Sequence, residues 1–257
     1  MLFKKRYLVL ALCIFSNACL AAMTITGTRI IFPGSEKEVS VRTNNRGKTP
    51  PLVQVWVDDG NTKADINNMK VPFLVTPPVY RVEPGKGQMV RLLYNGMPLP
   101  QDRESVFWFN MLEIPPVDKS ESATPNKLEL AFRTRIKIFY RPSTLNSSGT
   151  AEVAKLQFSP ISDPNKGNGF RIVNPTQYYM SFDSVTVKSA GKSYTLDTSM
   201  LAPLTTNDIF AKPILPSSAA VQSINLKIIN DYGAVSEKVF ARKGNSGFSL
   251  ISGEDKN

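Results

Sequence analysis

The sequence predicts an all-β protein built as two sandwich-like domains. Three observations carry this expectation. Short apolar segments recur with turn chemistry between them, and no stretch of convincing length has helical period. Residues 128–142 alternate strictly: every even position from 128 to 140 is apolar except Thr134, while Arg133, Arg135, Lys137 and Arg141 occupy odd positions. Such alternation marks a strand with one buried face, here about twice the usual 5–6 residues. A strand longer than its own sheet needs carries surplus apolar side chains that call for a partner.

In chain order, the first domain is expected to hold strands at 24–31, 38–43, 52–57, 73–76, 80–82, 89–94 and 106–113, followed by the long strand. Asn44-Asn45-Arg46-Gly47, Asp58-Asp59-Gly60-Asn61 and Pro84-Gly85 supply the turns. Residues 145–149 are small and polar and read as a linker. The second domain is expected to hold strands at 154–158, 170–173, 179–187, 193–196, 223–230 and 235–240. Residues 212–221 are undistinctive. The tail, 244–257, is rich in Gly, Ser and charge and reads as loose. The domains are thus 22–144 and 150–257, joined by 145–149.

Residues 1–21 read as a secretory signal. Lys4, Lys5 and Arg6 precede an apolar run, and small residues Cys19 and Ala21 suit cleavage after Ala21. Removing that segment takes away both cysteines, Cys13 and Cys19, and lowers the net charge from +10 to +7. A cysteine-free exported chain must rest on its core rather than on disulfides. Its basic charge suits an acidic partner, a carboxylate or anionic lipid rather than nucleic acid in that compartment. The chain has 257 residues and 42% hydrophobic composition, with no sign of membrane insertion. Histidine is absent, which removes the commonest general base and metal ligand; no cofactor or metal is expected.

Local motifs add little chemistry. Gly191-Lys192-Ser193 lacks the upstream glycine of a phosphate loop, since Thr186 stands there, and reads as a hairpin turn. Asn146-Ser147-Ser148 marks an exposed loop. Asp58-Asp59 reads as turn chemistry rather than as an acid–base pair. Arg133 and Arg135 read as a solvated protective edge. No nucleophile–base arrangement is present, so no enzymatic activity is expected.

Several separated motifs resemble the periplasmic chaperones of the chaperone–usher pathway, which assemble pili in Gram-negative bacteria. They are Thr28-Arg29 with Gly34-Ser35-Glu36-Lys37; Thr76-Pro77-Pro78-Val79; Pro84-Gly85 with Val90-Arg91-Leu92; and Leu99-Pro100-Gln101-Asp102-Arg103-Glu104-Ser105. Phe109-Asn110 with Glu113-Ile114-Pro115-Pro116, then Ile136-Lys137-Ile138-Phe139-Tyr140-Arg141-Pro142, follow. Asn174-Pro175-Thr176 with Tyr178-Tyr179, and Ile229-Asn230-Asp231-Tyr232-Gly233, lie in the second half. Each is weak alone; their order and spacing are specific.

The resemblance implies two immunoglobulin-like domains in an L arrangement, a family fold and binding mode that serve as general examples of sandwich architecture and strand donation. It implies pilus (fimbrial) subunits and the outer-membrane usher as partners, a periplasmic location, and a self-capping oligomer of the free protein. Leu128, Leu130 and Phe132 would fill a subunit's incomplete core, at roughly 1.5–3 kcal/mol each. Arg29 and Lys137 would hold the subunit's terminal carboxylate, and Glu104, Arg141 and Asp231 would bridge the domains. The short loop at 117–127 and the absence of mature cysteine place the chain with rod-pilus chaperones. Lys137 and the donor residues have opposite parity, so a bulge or strong twist near Thr134 is expected to bring them to one face. The other readings are a pilus subunit or adhesin, whose donor segment would be N-terminal, and a carboxylate-based periplasmic glycosidase.

Overall fold

The computed structural model describes residues 23–61, 69–116, 130–218, 220–244 and 247–254. The signal segment, the loop at 117–127 and Leu128 lie outside the described residues.

The expected first strand is two strands. β1 (Met23–Ile25) and β2 (Arg29–Pro33) flank Gly27, whose φ of 90° is a conformation that glycine adopts without steric cost. The chain changes sheets there. β1 pairs antiparallel with β3 (Glu38–Asn45), whereas β2 pairs parallel with β9 (Phe132–Arg141). The remaining strands are β4 (Leu52–Asp58), β5 (Phe73–Thr76), β6 (Val79–Arg81), β7 (Gly87–Tyr94) and β8 (Ser105–Ile114). They form a four-stranded sheet, β1-β3-β7-β5, facing a five-stranded sheet, β2-β9-β8-β4-β6.

Alternation decides what lies between the sheets. Val53, Val55 and Val57 of β4, Phe107, Phe109 and Met111 of β8, and Ile136, Ile138 and Tyr140 of β9 point inward with Phe32. They meet Val41, Phe73, Val90 and Leu92 of the other sheet, with Phe32 and Phe73 ring centroids 5.0 Å apart. β9 begins at Phe132, later than expected. Its register with β8 starts at Glu113↔Phe132, so Leu130 and Ala131 have no neighbouring strand to bond among the described residues.

A second, separate core follows the short helix Gly149–Glu152, which Ser148 caps through the Ala151 N–H at 3.3 Å. Its strands are β10 (Gln157–Asp163), β11 (Gly167–Asn174), β12 (Met180–Ser189), β13 (Lys192–Leu196), β14 (Met200–Leu201), β15 (Thr205–Leu215), β16 (Ser223–Ile229), β17 (Val235–Lys243) and β18 (Gly247–Glu254). β10-β11-β15-β13-β12-β16-β17-β18 is the hydrogen-bonded order, and β14 adds to β12. β15 was not visible in the sequence because Thr205–Asp208 is a polar run and Pro213 interrupts the far end.

The expectation of a loose tail is corrected. β18 pairs with β17, and Phe248 packs edge-on against Phe170 at 5.6 Å and Phe158 at 6.5 Å. Gly and Ser dominate the tail's composition, but Phe248 and Leu250 alternate and pack, partly buried, against the second core. Among the described residues, no helix is long and apolar enough to cross a membrane.

Candidate functional site

β9 is the axis of the site, and its two halves have different surroundings. Residues 137–141 lie between β2 and β8, with Arg29 opposite Lys137 at the first rung. Residues 132–136 pair only with β8 among the described residues, so their other edge carries unpaired backbone groups. Leu130 and Phe132 lead into that edge and are 56% and 58% exposed. The structure thus places two of the three expected donor residues at an open strand edge.

The open edge ends at two cations. Arg29 Nη1 donates to the Ile229 carbonyl at 3.1 Å, and its guanidinium lies 5.6 Å from the Phe139 ring centroid. Arg29 Nε is buried with no hydrogen-bond partner among the described residues. Lys137 has no hydrogen bond or ion pair among the described residues. Burial lowers its pKa, and the Arg29 charge lowers it further. Burial also lowers the Arg29 pKa, against the opposing pull of Asp231 and Glu104. Two partly desolvated cations with unmet donors favour an arriving anion.

Beyond the cations, the three residues expected to bridge the domains do meet. Arg141 Nε donates to Glu104 Oε1 at 2.8 Å, and Nη1 and Nη2 donate to the two Asp231 oxygens at 2.7 and 3.0 Å. Glu104 Oε2 accepts the Tyr179 N–H at 2.8 Å. Burial pushes the Glu104 carboxyl up, and Arg141 and the Tyr179 amide only partly pull it back. Burial works against the Arg141 charge too, but the bonds to Asp231 and the two carboxylates outweigh it and hold its pKa above the ordinary arginine value. Phe139 packs on Tyr179 at 5.7 Å, and a Cβ on Gly233 would fall 2.2 Å from Thr28 Oγ1. This interface is close enough to require glycine there.

Of the bulge or strong twist expected near Thr134, the bulge is absent. β9 runs against β8 without a register shift from Phe132 to Tyr140. Parity therefore persists: Phe132 shares the face of Ile136, Ile138 and Tyr140, and Lys137 shares the opposite face with Arg133, Arg135 and Arg141. An anchor and a donor need no common face when one acts on the end of a chain and the other on its side chains.

Sequence reasoning missed the layer over that opposite face. Asp58 is not merely a turn residue: it is 1% exposed and is bonded by Arg133, Arg135 and Asn110. Arg133 lies 4.9 Å over Trp56 and Arg135 lies 4.6 Å over Trp108. These arginines keep contact with solvent, Arg133 at 36% and Arg135 at 25% side-chain exposure, but they are tied to Asp58 rather than free. The signal was the shared even parity of Trp56, Asp58, Trp108 and Asn110, which only strand pairing converts into one surface.

Comparison with known proteins decides the family. The description "Pili and flagellar-assembly chaperone, PapD N-terminal domain" matches residues 22–146, and "Pili assembly chaperone PapD, C-terminal domain" matches residues 151–240. The chain belongs to the pilus-assembly chaperone family. It is 40% identical over 225 residues to the probable fimbrial chaperone YadV of Escherichia coli K12, covering 87% of this chain and 91% of that one. It is 39% identical over 227 residues to chaperone protein FimB/FhaD of Bordetella pertussis, covering 85% and 87%. Among solved structures, the YadV chaperone aligns with a TM-score of 0.71 at 36% identity, covering 90% of this chain and 100% of that one. The Pseudomonas aeruginosa CupB2 chaperone aligns with a TM-score of 0.71 at 38% identity, covering 86% and 100%. This pilus-assembly chaperone is therefore a two-domain β-sandwich protein of the chaperone–usher system.

Proposed function

We propose that this protein captures fimbrial subunits in the periplasm by strand donation, holds each by its terminal carboxylate, and delivers it to the outer-membrane usher. One observation carries the reading: the open edge of β9 ends where β2 begins, at Arg29 and Lys137. β2 is parallel to β9. A guest strand added upstream of β2 in the same direction would bring its C-terminal end to the two cations. The opposite direction would bring an ammonium group there and be repelled. Direction and register would then follow from charge, because the guest can slide no further than the anchor.

Leu128, Leu130 and Phe132 would enter the subunit's incomplete core from the side, while Arg29 and Lys137 grip its end. Main-chain bonds along the edge are sequence-independent, so one chaperone can serve several subunits. Glu104, Arg141 and Asp231 would set the angle of the cleft. The role is non-catalytic. Residues 1–21 would be removed on export, leaving domains at 22–144 and 150–257 joined by 145–149, and the mature N-terminus would read Ala22.

The test is co-expression with the fimbrial subunits of the host and recovery of the complex from the periplasm. A subunit with its last residue intact should co-purify with the wild-type protein and not with Lys137→Ala. Equal recovery by both would refute the anchor. Spontaneous polymerisation of the purified protein alone would favour a subunit instead.

A further inference from the structure

Half of β9 must stay ordered with one neighbouring strand among the described residues, because a donor strand that frays must be ordered again at each encounter. Its core-side residue Phe132 is exposed and gives no hold. The opposite face is different. Asp58 of β4, Trp108 and Asn110 of β8, and Arg133 and Arg135 of β9 form a continuous layer across three paired strands.

Asp58 is its centre. Asn110 Nδ2 donates to Oδ2 at 2.7 Å, Arg133 Nη2 and Arg135 Nε each at 3.3 Å, and the Gly60 N–H donates to Oδ1 at 2.8 Å. A second bond joins Arg135 Nη2 to Oδ1. Asn110 Oδ1 takes two further bonds from Arg133, at 3.1 and 2.8 Å. Each guanidinium also lies over an indole ring, 4.9 and 4.6 Å from the respective centroids. Burial raises the Asp58 carboxyl, but the Arg135, Asn110 and Gly60 bonds outweigh it and hold it below the ordinary range. A carboxylate buried on an outward sheet face is costly unless so paired.

We propose that Asp58 is a positioning residue: through Arg133 and Arg135 it clamps residues 132–136 of β9 from the face away from the subunit, keeping the donor edge straight and open before a subunit arrives. This rests on the strand-donation reading above. The clamp touches neither the open edge nor the Leu130 and Phe132 side chains, so it orders the strand without occupying it. Ordering before binding removes a cost from binding.

The chain's two tryptophans, Trp56 and Trp108, both belong to the clamp, so its state can be followed by their fluorescence. Wild type, Asp58→Asn, Asp58→Glu and the double variant Arg133→Gln/Arg135→Gln are compared by hydrogen exchange, tryptophan emission and affinity. The probes are an alternating Val-Thr nonapeptide with a free C-terminal carboxylate and the same peptide as its C-terminal amide. Asp58→Asn should speed exchange of the β8-bonded amides in 132–136 about tenfold or more, shift the emission, and weaken the carboxylate peptide about tenfold. It should leave the carboxylate-over-amide preference intact, and Asp58→Glu should restore most of the loss.

Wild-type exchange and affinity in Asp58→Asn would overturn the proposal. If Asp58→Asn loosens the whole first domain, the double variant decides: selective exchange at 132–136 supports the clamp, and unchanged exchange there refutes it. A wild-type protein that binds both peptides equally would refute the carboxylate reading, while the exchange data would still decide the clamp.

Discussion

The two halves of β9 have one alternation and one register, yet they are held in opposite ways. Residues 137–141 are sandwiched between β2 and β8, bury Ile138 and Tyr140, and turn Phe139 and Arg141 to the second domain. Among the described residues, 132–136 have a strand on one side only, expose Phe132, and carry on the other face guanidinium groups gathered on Asp58. The difference teaches how a protein can present a strand with an open edge. Its own neighbour stops at a cation pair, and charge chemistry on the far face replaces the missing neighbour. The buried carboxylates differ too: Asp58 gathers two guanidinium groups and sits below its ordinary pKa, whereas Glu104, with Arg141 and a backbone amide, sits above it.

Breaking the closed half should cost most stability. Arg141→Ala leaves Glu104 buried without its cation and frees Asp231, and should cost about 3 kcal/mol. Urea unfolding would measure it; an unchanged midpoint would mean the bridge holds nothing. Lys137→Ala should do the reverse. Removing a desolvated cation beside Arg29 should leave thermal stability equal or slightly higher, yet weaken subunit capture at least about 100-fold, near 2.7 kcal/mol. Calorimetry and co-purification together would check that split.

A charge on the open half should act on binding alone. Leu130→Glu should reduce subunit affinity about tenfold while shifting stability by less than about 0.5 kcal/mol, because Leu130 is exposed in the free protein. A titration equal to wild type would remove Leu130 from the donor set.

The smallest effect separates the carboxylates by pH. Asp58, lowered in the fold, stabilises above its ordinary value of 3.8 and loses that contribution as pH falls through the folded value. Glu104, raised in the fold, has the opposite sign: stability is gained as pH falls from neutral through its raised value toward 4.5. Melting temperatures of wild type minus Asp58→Asn should therefore converge in acid. Those of wild type minus Glu104→Gln should rise on mild acidification. Parallel pH profiles for the two variants would erase the distinction.

By itself, the sequence determined the β class, most strands, the two cores and the alternating strand, because period-two patterning is local and reports directly which side chains bury. Motif order also brought Arg29, Lys137, Glu104, Arg141 and Asp231 to notice. Only the tertiary structure decided where β9 starts, that no bulge reconciles its faces, that the tail is a strand, and that Arg133 and Arg135 converge on a buried Asp58. Those facts depend on which strand lies beside which. Pairing is non-local: β9 meets β8 from Phe132 onward, and an aspartate in a turn-like sequence is buried, only because of residues dozens of positions away.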